Sequence, residues 1–157
     1  MRNPPKTDDP GAWHRYFAVE CNNRAWALSL QSRTPAQDRE MLDAAHAAAY
    51  HWDHAGTELN RALASMLLAE VHALLGHGAR ALSYAEDVRN FFLNRESADW
   101  ELAFTHTIHA HAACVAGDKH QHEAAYLKAQ AALAAIADAE DRAIVQQTFD
   151  QVPPPGT

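Results

Sequence analysis

The stretch Thr57–Phe92, TELNRALASMLLAEVHALLGHGARALSYAEDVRNFF, contains two helical patterns separated by glycine. In its first half, apolar residues recur at helical spacing and alternate with alanines, which let a neighbouring backbone come close. Gly76 and Gly78 then provide the positive φ that a helix end and a tight turn need. An apolar stripe from Ala81 to Phe92 marks the return helix. The stretch therefore predicts two antiparallel helices that pack on each other.

Outward from this stretch, the same signals predict an all-α protein. The chain is rich in alanine, which loses no side-chain entropy in a helix, and it has only six glycines among 157 residues. Residues that commonly cap helices precede apolar periodic segments throughout the chain. Beyond the return helix that follows Gly76, helix starts are predicted at Asp9, Thr34, Thr57, Ser97, Asp118 and Asp138. A single domain over residues 9–150, with flexible ends at 1–8 and 151–157, is expected.

Turn residues recur along the chain at a fixed interval. Pro35, Gly76 and Gly117 are separated by 41 residues each. A fixed period of this size is typical of helical repeat proteins, in which each hairpin buries its apolar face against the next. The interval predicts three hairpins, followed by a C-terminal helix that caps the exposed end.

The central hairpin resembles the tetratricopeptide (TPR) repeat. Leu68, Ala69, Gly76 and Ala81 fall where that repeat has Leu, a small residue, Gly and Ala. The resemblance implies a TPR-like fold with helices about one turn longer than usual, since the TPR period is about 34 residues. The stretch from His46 to Gly76 also resembles a segment of small helical bacterial proteins. That second resemblance implies the same fold and brings no activity with it.

Charge and hydropathy narrow the range of possible functions. The formal net charge is −7, and no Lys/Arg stripe is present that could displace counterions from phosphates, which argues against nucleic-acid binding. No apolar run approaches membrane-spanning length. Cys21 and Cys114 lie in helical patterns far apart, as expected of free thiols in a reducing compartment. We therefore expect a cytoplasmic protein that does not bind membranes.

The 41-residue period predicts a binding groove. It makes Glu70 and His111 equivalent, and the corresponding position of a TPR superhelix faces the concave groove. Met66 with Thr107, and Leu63 with Phe104, are the neighbouring equivalent pairs. A groove of this kind suits a protein or peptide partner and requires no cofactor. The predicted binding residues are Leu63, Met66, Glu70, Phe104, Thr107 and His111. Two alternatives stay open: that Glu70 and His111 merely pair with each other, and that the chain forms a homodimer.

A different hypothesis starts from the eleven histidines. His51 and His54, and likewise His106 and His109, are three residues apart, so each pair can share a helix face and bind one metal ion. A divalent metal ion bridging the second and fifth helices would make the chain a metal-binding protein or a metal-dependent enzyme. The residues of this hypothesis are His46, His51, His54, His106 and His109.

The four tryptophans are interpreted as core residues. Trp13, Trp26, Trp52 and Trp100 each lie in an apolar helical stripe, and packing accounts for such positions better than a stacking platform does.

Overall fold

A computed structural model describes residues 3–156 of the chain. It is all-helical in this range, with seven helices and no strand, so the predicted fold class is confirmed. The helices are α1 (Pro10–Ser29), α2 (Pro35–Ala55), α3 (Glu58–Leu74), α4 (Gly78–Phe92), α5 (Asp99–Ala116), α6 (Lys119–Ala135) and α7 (Ala139–Phe149).

Local capping explains most helix boundaries. The Asp9 carboxylate accepts hydrogen bonds from two backbone amides at the start of α1, and Thr34 and Thr57 each form a capping box. Gly76 and Gly117 have φ values of 77° and 79°, the left-handed conformation that ends a helix. These boundaries depend on local sequence, which is why they are predictable.

Two boundary residues differ from the prediction. Ser97 does not cap α5, because its hydroxyl donates to the Phe92 carbonyl and the Glu101 carboxylate accepts from the Ala98 amide instead. Gly78 lacks a positive φ and begins α4. A Cβ at Gly78 would lie 2.6 Å from the Cα of Ala116, so glycine is needed there for the close approach of α4 to the end of α5.

The helices pack in chain order. Consecutive helices pair as α1 with α2, α3 with α4 and α5 with α6, and contacts of α2 with α3 and α4 with α5 join the pairs. The first helices of the pairs also touch, α1 with α3 and α3 with α5, while α7 packs on α5 and α6. This is the expected order of three hairpins and a terminal helix. Its relation to the TPR repeat stays a prediction.

Helix α3 lies at the centre of the core. Met66 and Ala69 belong to the apolar cluster shared with α4 to α7, whereas Leu67, Leu68 and Val71 belong to the cluster shared with α1 and α2. Because α3 is surrounded on most sides, even its polar residues Glu70 and His72 are buried.

The chain beyond α7 is held against the body, although flexible ends were expected. Val152 is 4% exposed and packs with Ala110 and Ala125. The His122 Nε2–H donates to the Pro153 carbonyl at 2.8 Å. The same expectation for Met1, Arg2 and Thr157 lies outside the described residues.

Candidate functional site

An aromatic pocket of about 320 Å³ lies where α1, α2, α3, α5 and α7 meet. We call it the tryptophan pocket. A volume of this size is in the range of pockets that bind small groups. Its lining residues are Asn22, Trp26, Leu30, Trp52, Asn60, Leu63, Met66, Trp100, Phe104, Ile144 and Thr148. No charged side chain is among them.

The repeat positions the pocket wall. Asn22, Leu63 and Phe104 are 41 residues apart, lie on α1, α3 and α5, and all line the pocket. Because these three helices are the first members of successive hairpins and α3 touches both α1 and α5, equivalent positions meet on one side. Ile144 and Thr148 of α7 close the pocket at its C-terminal end.

The aromatic rings form walls at steep angles to each other. The rings of Trp26 and Phe104 are 5.7 Å apart at 53°, and those of Trp100 and Phe104 are 6.2 Å apart at 89°. Such rings enclose a space from several directions, as faces and edges both contribute to the contact surface.

Hydrogen-bond donors at the pocket are available to a ligand. The indole N–H of Trp13 donates to the Thr7 carbonyl at 2.9 Å. Within residues 3–156, no other tryptophan N–H donates to a protein acceptor. The side-chain oxygen of Asn60 accepts from the Thr57 amide at 3.0 Å, which leaves its NH₂ group as a donor. The pocket thus combines apolar walls with a few N–H groups.

The structure divides the six predicted binding residues into two sets. Leu63, Met66 and Phe104 line the tryptophan pocket. Glu70, Thr107 and His111 do not line it and are at most 5% exposed, because α3 and α5 turn these positions into the interior. For these three residues the structure differs from the predicted groove.

Glu70 and His111 instead form a buried pair between α3 and α5. The His111 Nδ1 lies 3.1 Å from each carboxylate oxygen of Glu70, which is 0% exposed. Burial by itself would lower the pKa of His111, but the charge and hydrogen bonds of Glu70 outweigh it and raise that pKa. This arrangement corresponds to the alternative in which the two residues pair with each other.

Sequence analysis predicts that the tryptophans are core residues, and Trp26 and Trp100 do pack against the apolar core, but Trp26, Trp52 and Trp100 also line the pocket. Trp26, Trp52 and Trp100 are half-buried, and each has one side at the pocket. A helical apolar stripe looks the same in sequence whether its far edge meets another helix or a cavity. What could have indicated the pocket is that these three tryptophans lie on α1, α2 and α5, which face the same side of the fold.

The histidines of the metal hypothesis lie in three separate places. The ring of His46 is 5.6 Å from that of His72, whereas His51 and His54 contact His14. His106 and His109 lie on α5, whose backbone does not come close to that of α2 among the described residues. The bridge between the second and fifth helices is therefore not formed. Over residues 3–156, no group of three or more His, Cys, Asp or Glu is placed to hold a metal ion.

Burial favours the neutral form of the other two histidines of α5, His106 and His109. The His109 Nε2 lies 3.0 Å from the Gln121 side-chain oxygen and 3.5 Å from Glu86 Oε1. Burial is the main cause that lowers the pKa of both His106 and His109.

No protein-family model, curated protein or solved structure matches this chain. In the described part of the chain, no helix has the length and apolar character needed to cross a bilayer.

Proposed function

We propose that the protein is a TPR-like interaction module of the cytoplasm that binds a short segment of a protein partner through the tryptophan pocket. The observation that carries the proposal is the meeting of Trp26, Trp52, Trp100 and Phe104 around one pocket of about 320 Å³. Aromatic anchors of this kind supply most of the binding free energy in protein recognition. The free thiols Cys21 and Cys114 fit a reducing compartment.

A second depression favours a peptide over a compact small molecule. A smaller cavity of about 210 Å³ adjoins the tryptophan pocket and shares Trp100, Phe104 and Ile144 with it. Two adjoining apolar depressions fit two side chains of one segment. Burying each such side chain contributes about 2 kcal/mol before the entropic cost of association.

Charge further specifies the partner. Asp141 lines the smaller cavity, no basic residue lines either cavity, and the chain carries a net charge of −7. A segment with two apolar residues and a nearby Lys or Arg is therefore the best match. The indole N–H groups and the Asn60 amide would donate to its backbone carbonyls.

The test is a selection from a random peptide library on the tag-free protein, with affinities of enriched peptides measured by fluorescence anisotropy. We expect enriched peptides to share two apolar positions and a basic residue. Ile144→Lys should weaken their binding at least tenfold, since Ile144 is 56% exposed and lies between the two cavities. Leu127→Lys is the matched control, because Leu127 is 60% exposed and lines neither cavity.

A second pair of variants tests the aromatic wall. Trp100→Ala should weaken binding by a similar factor, whereas Trp13→Ala, which removes a half-buried tryptophan outside the pocket, should not. Equal affinity of wild type and Ile144→Lys for every enriched peptide, or the absence of any shared peptide pattern, would contradict the proposal.

A further inference from the structure

Three imidazoles gather at the end of the α1–α2 hairpin opposite its loop. His14 of α1 meets His51 and His54 of α2. The Nδ1 atoms of His14 and His51 are 2.9 Å apart, with ring centroids at 5.0 Å. Both rings thus direct a nitrogen at the same small volume. None of the three residues lines the tryptophan pocket.

The surroundings hold this pair in place. The His54 ring stacks on His14 with centroids 4.6 Å apart and planes 4° apart. The Nδ1 of His54 donates to the Tyr50 carbonyl at 2.8 Å, which fixes the orientation of the stacked ring. Phe17 lies 5.5 Å from the His51 ring. These ring contacts restrict the orientation of His14 and His51.

A change of tautomer is needed before both rings can act as ligands. At 2.9 Å, one Nδ1–H donates to the lone pair of the other ring, so the two Nδ1 atoms hold one proton between them. A neutral imidazole can carry its proton on either ring nitrogen, and moving it to Nε2 leaves both Nδ1 lone pairs free to bind one metal ion.

The nitrogen separation is that of a hydrogen bond, and it also brings both nitrogens within reach of one metal ion. For bonds of about 2.1 Å, two nitrogens at a right angle lie ~3.0 Å apart, whereas tetrahedral ligands lie ~3.4 Å apart. The 2.9 Å of the hydrogen-bonded pair is close to the right-angled value, so the two rings need to move little for such coordination. Square-planar or tetragonal N/O coordination is typical of Cu(II) and Ni(II).

We propose that His14 and His51 form a two-histidine chelate for a divalent transition metal ion of the Cu(II) or Ni(II) class, through their Nδ1 atoms. Water fills the remaining coordination positions. The chelate joins α1 to α2. It pairs His51 with a residue of another helix, whereas the three-residue spacing of His51 and His54 suggests a pair within one helix.

A second histidine pair provides an internal control. The Nδ1 atoms of His72 and His77 are 3.1 Å apart, a similar geometry. His72, however, is only 6% exposed, and the positive charge of Arg80 acts on it, so a cation is disfavoured there. The chain should therefore bind one ion at neutral pH and not two.

The experiment uses the full tag-free chain, stripped of metal with a chelator and dialysed. Titration calorimetry with NiCl₂ and with CuCl₂ at pH 7 should give one equivalent. His14→Ala and His51→Ala should each weaken binding at least tenfold, whereas His77→Ala should leave it unchanged. Circular dichroism checks that the variants are folded.

Electron paramagnetic resonance of the Cu(II)-loaded wild type makes the test independent of the variants. The spectrum should show superhyperfine splitting from two imidazole nitrogens. The proposal is overturned by affinity retained in folded His14→Ala, by loss of binding in His77→Ala, or by a spectrum with fewer than two nitrogen ligands.

Discussion

His111 and His72 are buried to nearly the same extent, 5% and 6% exposed, yet their pKa values move in opposite directions. His111 faces the Glu70 carboxylate, which raises its pKa. The His72 ring stacks on Tyr84, with centroids 5.6 Å apart and planes 7° apart. Burial, together with the charges of His46, His77 and Arg80, lowers its pKa to about 4.

The difference shows that the partner of a buried imidazole decides its charge. Burial favours the neutral form in both places, because a charged ring loses its hydration. A single carboxylate within hydrogen-bond distance reverses this preference for His111. One imidazole therefore lies beside a carboxylate that favours its protonated form, and the other is held in its neutral form as an aromatic ring.

The largest expected effect comes from breaking the buried pair. Glu70→Ala should lower the free energy of unfolding by about 3 kcal/mol, because it leaves a cavity and an unpaired buried imidazole. Urea denaturation at pH 6 measures the change. Since apolar residues can replace a buried ion pair at little cost, the double variant Glu70→Leu with His111→Leu should lie much closer to wild type. Equal losses in both variants would show that the pair itself is not the cause.

An acid titration of stability compares the two histidines next. A lowered folded pKa means that the unfolded chain binds the proton first, so the contribution of His72 to stability is present above pH 6.5 and is lost as pH falls toward about 4. We expect a loss of about 2 kcal/mol over this window.

In His72→Phe, which keeps the stacking on Tyr84, the loss between pH 6.5 and 4 should be smaller. His111 acts in the opposite direction: its raised pKa adds stability that is complete below pH 6.5 and is lost as pH rises through the folded value. Denaturation midpoints that do not differ between wild type and His72→Phe across this range would disprove the assignment.

Thr107, one turn before His111, tests a buried polar group that has no partner. Its hydroxyl is completely buried and forms no hydrogen bond. Thr107→Val keeps the shape and removes the unmet hydroxyl, so stability should rise by about 1 kcal/mol. Thr105→Val is the control, because the Thr105 hydroxyl donates to the Glu101 carbonyl at 2.7 Å and its removal should not stabilise. The melting temperatures of the two variants give the comparison.

The smallest effect is expected for an exposed ion pair. Arg24 and Glu40 are closer than Glu70 and His111, at 2.6 Å, but both side chains are about half exposed. Water screens such a pair, so Glu40→Gln should not change the urea midpoint measurably. A loss comparable to that of Glu70→Ala would mean that distance matters more than burial.

The groove residues show how far sequence reasoning reaches. The 41-residue period placed Leu63 and Phe104 at equivalent positions, and both line the tryptophan pocket. The same period made Glu70 and His111 equivalent but could not tell whether they face solvent. That depends on how closely α3 and α5 are covered by other helices, which is a non-local property.

The histidines show where reasoning from sequence spacing fails. Spacing alone pairs His51 with His54, because residues three apart share a helix face. The shortest nitrogen contact of His51 is instead to His14, a residue 37 positions away on another helix. A contact of this kind depends on the rotation of α1 against α2, for which the local pattern contains no information.

By itself, the sequence determined the helices, most of their ends and the spacing of the hairpins, because capping, glycine conformation and apolar periodicity act over a few residues. Only the tertiary structure decided which polar groups are buried, where three tryptophans enclose a pocket, and which imidazoles meet. Those features arise between helices, where packing density and the loss of water set the energy of each contact.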